Sequence, residues 1–164
     1  MLAKADFYYG AFLSRLINSG FAPAIIEKGE NRRIYDLSTN FGDFIVYTKY
    51  LSKQANNGQD KLWHFTFSLD EMNRILQDDT INMFAFICGV KELVDSEIVI
   101  LSREQFKQCI GIDFIGDTHR ISVKSEKRTW NYLVYGTGVD VKDNPLRVTK
   151  NLNKRLSEFS IIPV

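Results

Sequence analysis

Hydrophobic residues recur along the chain with two different periods, and the change of period marks the predicted elements. Over residues 4–18 the apolar side chains are three or four positions apart, which predicts a helix that ends before Gly20. Its apolar stripe consists of Tyr9, Phe12, Leu13, Leu16 and Ile17. In LWHFTFS (62–68) apolar and polar residues alternate, which predicts a half-buried strand with its aromatic residues on one face. The chain therefore mixes helices with strands.

Turn-forming residues separate the other apolar runs. Gly29, Glu30 and Asn31 lie between two short apolar runs in AIIEKGENRRIYDLS (24–38), which predicts a β-hairpin. A second turn at 39–42 leads into a β-branched and aromatic run that is suited to a buried strand. That strand and the later ones are predicted at FIVYTKY (44–50), MFAFICG (83–89), EIVIL (97–101), HRISVK (119–124) and WNYLVYG (130–136).

Two capping boxes predict where helices begin. The Ser68 hydroxyl and the Glu71 carboxylate have the spacing that satisfies free N–H groups at a helix start, so a helix is expected over 69–77. Ser102 and Gln105 repeat the pattern and open another helix.

The end of the chain predicts a last helix. Pro145 suits a first helical position, and apolar residues further along fall on one stripe. These residues are Leu152, Leu156 and Phe159. The whole order of elements predicts an α/β (α+β) fold in which helices flank a mixed central β-sheet.

Length and composition favour one domain, residues 1–164. The 164 residues are 45% hydrophobic and 25% charged, which is typical of a globular chain with an adequate core. The N-terminal MLAKADFYYG lacks a basic stretch followed by an apolar one, and no apolar run is long enough to cross a bilayer. We therefore expect a cytoplasmic protein that does not contact a membrane.

Cysteine and histidine are scarce and form no metal-binding motif. Cys88 and Cys109 lie in apolar stretches with no C-x-x-C spacing, which predicts two reduced thiols in the core. His64 and His119 are interpreted as surface or hydrogen-bonded side chains. The sequence contains no zinc-site, P-loop, G-x-G-x-x-G or G-x-S-x-G pattern. We therefore do not expect a member of the common cofactor-binding or hydrolase classes that these patterns mark.

The net charge of +1 conceals an uneven distribution. Residues 119–155 contain nine Lys or Arg against three acidic residues, a local net charge of +6. Such a region could contact phosphates, and Trp130 or Tyr132 could stack on bases. The alternative is ordinary solvated charge that pairs with the acidic remainder. The candidate nucleic-acid-binding residues are Arg120, Lys124, Lys127, Arg128, Lys150 and Lys154.

Residues 1–110 resemble the restriction-endonuclease-like, or PD-(D/E)XK, superfamily. The resemblance rests on the order helix, three strands, helix, strand, on Asp36 in RRIYDLS, and on Tyr47-Thr48-Lys49 at the place of a (D/E/Q)-x-K triplet. Residues 111–164 would then add a basic hairpin and a C-terminal helix. The resemblance implies a nuclease-related protein of phage, mobile-element or genome-defence origin.

The family chemistry implies roles for particular residues. Asp36 and Asp43 would bind Mg²⁺, and Lys49 would stabilise charge in the transition state of phosphodiester hydrolysis. If Asn40-Phe41 is a two-residue turn, Asp36 lies opposite Ile45 and shares a sheet face with Lys49. Under this register Asp43 is expected on the opposite face.

Two departures from the family pattern favour a catalytically inactive alternative. Tyr47 stands where the family has a carboxylate or an amide, and Gly10-Ala11 stand where many members carry a helical glutamate. A phenol is a poor Mg²⁺ ligand at neutral pH. The alternative is a protein-binding module, such as an inhibitor, an immunity partner or a regulatory subunit, with no cofactor. The sequence leaves nucleic acid and protein open as partners, and it leaves the oligomeric state open.

Overall fold

A computed structural model describes residues 1–29, 32–39, 42–56, 58–111, 118–138 and 143–159. The α-helices in these ranges are α1 (Lys4–Asn18), α2 (Leu69–Gln77), α3 (Arg103–Ile110) and α4 (Leu152–Glu158), with a 3₁₀ helix at Leu93–Asp95. The strands are β1 (Ala24–Glu27), β2 (Arg33–Thr39), β3 (Gly42–Leu51), β4 (Lys61–Ser68), β5 (Ile81–Cys88), β6 (Glu97–Ser102), β7 (Thr118–Ser125), β8 (Asn131–Gly136) and β9 (Leu146–Thr149). The predicted mixture of helices and strands is confirmed.

The first sheet is mixed, as the order of elements predicts. Its strand order is β1-β2-β3-β5-β6, and β3 and β5 form its parallel pair. The chain between them contains β4 and α2, because two parallel strands need a long crossover connection. The other neighbours in this sheet are antiparallel.

The second sheet departs from the predicted single central sheet. It is antiparallel with the order β4-β7-β8-β9, so β4 leaves its sequence neighbours and pairs with β7 along its whole length. The alternation in β4 gives it one aromatic face, and that face needs an apolar surface to cover it. The first sheet supplies the surface, so the two sheets pack face to face.

The main core lies between the two sheets. Trp63, Phe65 and Phe67 of β4 are fully buried there, and each such side chain contributes about 2–3 kcal/mol by leaving water. On the other face of the first sheet a second cluster packs beneath α1 and includes Phe12 and Leu16, both fully buried. The predicted stripe of α1 therefore covers one face of the first sheet, while the second sheet covers the other.

Both predicted capping boxes are confirmed. The Ser68 hydroxyl accepts a hydrogen bond from the Glu71 amide at 3.2 Å, and the Ser102 hydroxyl accepts one from the Gln105 amide at 3.2 Å. The α2 helix spans the residues that the sequence predicts. None of the helices in the described ranges is long and apolar enough to cross a membrane.

The C-terminal segment differs from its prediction. A helix from Pro145 was expected, but residues 146–149 form β9, and α4 begins only at Leu152. Val148 is buried opposite Tyr132, so the β-branched residues of this stretch extend the second sheet instead of a helix. The Asn151 side chain then accepts a hydrogen bond from the Lys154 amide at 3.0 Å and caps α4.

Candidate functional site

The register between β2 and β3 places the predicted catalytic residues on one face. Asp36 pairs with Ile45, as predicted, although the turn at 40–41 lies outside the described residues. Residues directly opposite each other in an antiparallel pair point to the same side, and the side-chain period is two. Asp36 and Lys49 therefore both lie on the face of the first sheet that meets the second sheet.

The prediction for Asp43 is wrong. Asp43 pairs with Ser38 and lies two residues from Ile45, so it lies on the same face as Asp36. Asp36 and Asp43 are diagonal neighbours near the start of β3, with their Cα atoms about 7–8 Å apart. Asp43 is exposed, whereas Asp36 Oδ1 is buried with no hydrogen-bond partner among the described residues.

Lys49 lies in the packed layer between the sheets. The residue is only 8% exposed, and its Nζ lies 2.7 and 2.8 Å from the two carboxylate oxygens of Glu71. The same Nζ lies 4.8 Å from the centre of the Phe67 ring. Burial lowers the pKa of Lys49, and Glu71 opposes that shift. Lys49 lies four positions along β3 from Ile45, the residue opposite Asp36, which is about 13 Å along the strand.

Glu71 completes a cluster that the sequence analysis missed. The Tyr47 hydroxyl donates a hydrogen bond to Glu71 Oε2 at 2.7 Å, so one carboxylate serves both Tyr47 and Lys49. Burial, followed by Glu71, raises the pKa of Tyr47 and keeps the phenol protonated. We call Tyr47, Lys49 and Glu71 the inter-sheet cluster. The capping box explained Glu71 locally, and the available signal was that an inward-facing lysine needs a neutralising acid.

The donors for a magnesium ion are few in this region. Asp36 and Asp43 offer two carboxylates, while the Glu71 oxygens already accept hydrogen bonds from Lys49 and Tyr47. In the described part of the chain no group of three or more His, Cys, Asp or Glu could hold a metal ion. The magnesium site at Asp36 and Asp43 thus stays a prediction with two carboxylates as its ligands.

The second sheet carries a charged surface on its outer side. Trp63 and Val123 are paired and buried, so alternate residues of these strands point away from the core. We call these outward residues the basic sheet face. By register its members are Leu62, His64, Thr66, Arg120, Ser122, Lys124, Asn131, Leu133, Tyr135, Arg147 and Thr149, of which Ser122 is buried and Tyr135 packs against the main core. This set contains three cations and no acidic residue.

The cations of the basic sheet face are spread over the sheet. Lys124 and Arg147 both pair with Leu133, so they lie two strands apart, about 10 Å. Arg120 is four residues from Lys124 on β7, about 13 Å along the strand. The His64 ring nitrogen Nδ1 lies 2.7 Å from the Ser122 hydroxyl, which agrees with the prediction of a hydrogen-bonded histidine. Burial and then the Arg120 guanidinium lower the pKa of His64.

The β7–β8 hairpin tip continues the positive surface. Lys127 and Arg128 are exposed there, and Arg128 adopts a left-handed backbone conformation with φ 66° in the turn. The Lys127 amide donates a hydrogen bond to Asp60 at 3.2 Å, which fixes the tip to the loop that precedes β4. Trp130 follows with 87% of its surface exposed, whereas Tyr132 is buried and has no free ring face for stacking.

Lys150 and Lys154 lie beside this tip. The Lys150 amide donates to the Trp130 carbonyl at 2.9 Å, and its Nζ donates to the Glu126 carbonyl at 2.8 Å. Lys154 is exposed on α4. The six candidate nucleic-acid-binding residues therefore divide into two on the basic sheet face, two at the hairpin tip and two next to Trp130.

Two neighbouring cavities open near the hairpin tip. One, of about 560 Å³, is lined by Trp130, Lys150, Lys154 and Arg15. The other, of about 600 Å³, shares Arg15 and Lys150 but has largely apolar walls from α1 and the 3₁₀ helix. Exposed apolar side chains surround the second cavity, namely Phe7, Leu93 and Val94.

The remaining candidate residues belong to the interior. Cys88 and Cys109 are free and buried, as predicted, and burial raises the pKa of Cys109 to about 12, which makes its thiol unreactive. His119 is buried opposite Phe67 on the inward side of β7, although its turn-like sequence context indicated a position near the surface. Neither cysteine nor His119 lies on the basic sheet face.

No protein-family model, no curated protein and no solved structure matches the chain. The class of protein is therefore defined by the fold, an α+β protein with a mixed five-stranded sheet packed against an antiparallel four-stranded sheet.

Proposed function

We propose that this protein binds nucleic acid through the basic sheet face. The observation that carries the proposal is a set of three exposed or half-exposed cations, Arg120, Lys124 and Arg147, on a face whose assigned residues include no carboxylate. A phosphate backbone is a regular array of negative charge, and cations that bind it release condensed counterions. A cation without an internal acidic partner can contact a phosphate without first breaking a salt bridge.

Several arginines elsewhere on the molecule are paired with carboxylates, unlike the cations of the basic sheet face. Arg32 and Arg74 both contact Glu27, at 2.9 and 3.1 Å, and Arg33 contacts Asp6 at 3.3 Å. Across the described residues, the cations of the basic sheet face have no carboxylate within salt-bridge distance. The positive charges of Arg120, Lys124 and Arg147 are thus available to a ligand.

Hydrolysis of the bound nucleic acid is a separate expectation, and it comes from the nuclease resemblance. The elements α1, β1, β2, β3, α2 and β5 occur in the order that the resemblance implies, except that β4 of the second sheet lies between β3 and α2. Lys49, however, is buried and neutralised by Glu71, so its ammonium has no free path to a phosphate. We therefore favour binding without cleavage.

Fluorescence anisotropy with labelled single-stranded DNA, duplex DNA and single-stranded RNA tests the binding. We expect affinity to fall steeply between about 50 and 200 mM salt, because several phosphate contacts are involved. The double variant Arg120→Gln, Lys124→Gln should reduce the slope of log affinity against log salt by about 1–2. A matched control, Lys4→Gln with Lys28→Gln, removes two exposed cations far from the second sheet and should leave the slope unchanged.

Absence of binding at low salt would overturn the proposal, and so would equal losses in the two double variants. The same samples with Mg²⁺ or Mn²⁺ test cleavage. If cleavage occurs and Asp36→Ala and Lys49→Ala both abolish it, the nuclease expectation is supported. If cleavage persists in both variants, it does not arise at Asp36 and Lys49.

A second candidate is the protein-binding module without catalysis. The observation that favours it is the apolar cavity bordered by Phe7, Leu93 and Val94, the last of which is 92% exposed. Contiguous exposed apolar surface is costly in water and often marks a protein contact. The occupant would be an apolar segment of another protein, and a lack of nucleic-acid binding at low salt would make this candidate the leading one.

A further inference from the structure

The smaller cavity beside the hairpin tip combines an aromatic wall with positive charge. Its volume of about 560 Å³ falls in the range of small-ligand sites. Trp130 forms one wall, and three cations, Arg15, Lys150 and Lys154, line it together with uncharged residues. An apolar planar surface next to cations is the combination that recognises a base and its phosphate.

Trp130 is positioned to stack rather than to pack. It is 87% exposed, so its ring is left largely in water, which is unfavourable for the largest apolar side chain. Its backbone is nevertheless fixed, because its carbonyl accepts a hydrogen bond from the Lys150 amide at 2.9 Å. A rigid backbone with an open ring presents a π-face at little conformational cost to a ligand.

The cations of this cavity are available for a phosphate. Arg15 of α1 and Lys154 of α4 form no salt bridge with any carboxylate in the described ranges. Lys150 is held in place by the Glu126 carbonyl, a neutral acceptor, so its positive charge remains uncompensated. Three elements of the fold therefore direct positive charge towards the space beside Trp130.

The cavity also adjoins the surface proposed to bind the nucleic-acid backbone. Thr149 lines the cavity and belongs to the basic sheet face, where it lies two residues along β9 from Arg147. A nucleic-acid strand that crosses the second sheet near Lys124 and Arg147 would reach the cavity about 7 Å beyond Arg147.

We infer that this cavity binds an unpaired nucleotide of a single-stranded nucleic acid, with the base stacked on Trp130 and its phosphate held by Arg15 and Lys154. The inference rests on the proposed function and assigns the class of ligand. Bases in a duplex are already stacked on their neighbours and cannot present a face to Trp130. The cavity therefore selects single strands, while the basic sheet face contacts phosphates of either form.

Intrinsic fluorescence tests the stacking, because the two tryptophans differ in environment. Trp63 is fully buried and donates a hydrogen bond to the Gly89 carbonyl at 2.8 Å, so a soluble oligonucleotide can quench only Trp130 by stacking. The probe is an unlabelled eight-nucleotide oligothymidylate, and a blunt-ended DNA duplex without unpaired bases serves as the duplex. Calorimetry provides the affinities independently of fluorescence.

The expected result has three parts. Oligothymidylate quenches the fluorescence of the unmodified protein, and Trp130→Ala weakens its binding by about 5- to 150-fold. Trp130→Phe retains a ring and restores the affinity to within about threefold. Trp130→Ala leaves duplex affinity unchanged, and Phe7→Ala, which removes an exposed aromatic residue outside this cavity, changes neither affinity.

The opposite outcomes are distinguishable from one another. If oligothymidylate binds without quenching, and Trp130→Ala binds it as tightly as the unmodified protein, the stacking inference is overturned and the basic sheet face survives. If Trp130→Ala weakens single-stranded and duplex binding equally, the selectivity is overturned. If neither probe binds at low salt, both the proposed function and this inference fail.

Discussion

Two lysines on neighbouring layers of the molecule have opposite surroundings. Lys49 lies between the sheets, 8% exposed and paired with Glu71 at 2.7 Å. Lys124 lies on the outer side of the second sheet, and the described residues place no carboxylate within salt-bridge distance of it. A charged group excluded from water must be neutralised within the protein, whereas one in water need not be. The role of a lysine in this protein is thus indicated by its partner and not by its residue type.

The same contrast separates the inter-sheet cluster from the basic sheet face. In the cluster, Glu71 satisfies both Lys49 and Tyr47, and the result is a local structural network. On the basic sheet face, regular β-structure holds three cations that have no acidic partner within the described residues. Their positive charge is therefore not neutralised by the protein. The first arrangement contributes to stability, and the second is suited to binding.

The largest effect is expected from breaking the cluster on its acidic side. Glu71→Leu leaves the Lys49 ammonium buried without a counter-ion, and we expect the free energy of unfolding to fall by about 3–5 kcal/mol. Chemical denaturation measures the change. Glu104, which is exposed in the first turn of α3, provides the control, because Glu104→Leu should cost less than about 1 kcal/mol.

The double variant Lys49→Met, Glu71→Leu sharpens the comparison. Because both charges leave the interior together, most of the lost stability should return. Equal and additive losses for the two single substitutions would contradict the view that Lys49 and Glu71 act as a buried pair.

An intermediate effect is expected on the outer side. Arg147→Glu places an acid on β9, the edge strand of the basic sheet face, and we expect affinity for nucleic acid to fall at least about tenfold, because repulsion replaces a phosphate contact. Thermal unfolding should change little, since Arg147 is exposed. A loss of folding stability comparable to that of Glu71→Leu would contradict the separation of the two regions.

The smallest effect concerns pH. Burial and Arg120 lower the pKa of His64 below 6.5, so between its folded-state pKa and 6.5 the unfolded chain binds more protons than the folded one. The His64 contribution to stability is therefore present above pH 6.5 and is lost as the pH falls below it. Urea denaturation at pH 7.5, 6.5 and 5.5 should show a weaker pH dependence in His64→Gln. An identical pH dependence in the two proteins would contradict a lowered pKa of His64 in the folded protein.

Local patterns predicted the elements well, because helices and strands reveal their exposed and buried faces within a few residues. The stripe of α1, both capping boxes and the pairing of Asp36 with Ile45 follow from spacing and turn length alone. The face of Asp43 was also within reach, since a period of two places it with Ile45.

Long-range pairing could not be predicted in this way. The alternation in β4 indicates an apolar face but does not reveal that β7, more than 50 residues later, forms the adjacent strand. The Lys49–Glu71 pair could not be predicted for the same reason, because α2 is brought over β3 only by the packing of the two sheets. At the C-terminus, Pro145 indicated a helix, whereas the buried position of Val148 in the second sheet prevailed.

Amide chemical-shift mapping by NMR tests the central claim most directly. During titration with a single-stranded oligonucleotide at low salt, we expect the perturbed amides to cluster on β7, β8 and β9 around Arg120, Lys124 and Arg147. The amides of Tyr47, Lys49 and Glu71 should remain unperturbed, because the inter-sheet cluster is closed. Perturbations concentrated around Asp36 and Lys49, with none on the outer side of the second sheet, would contradict the account.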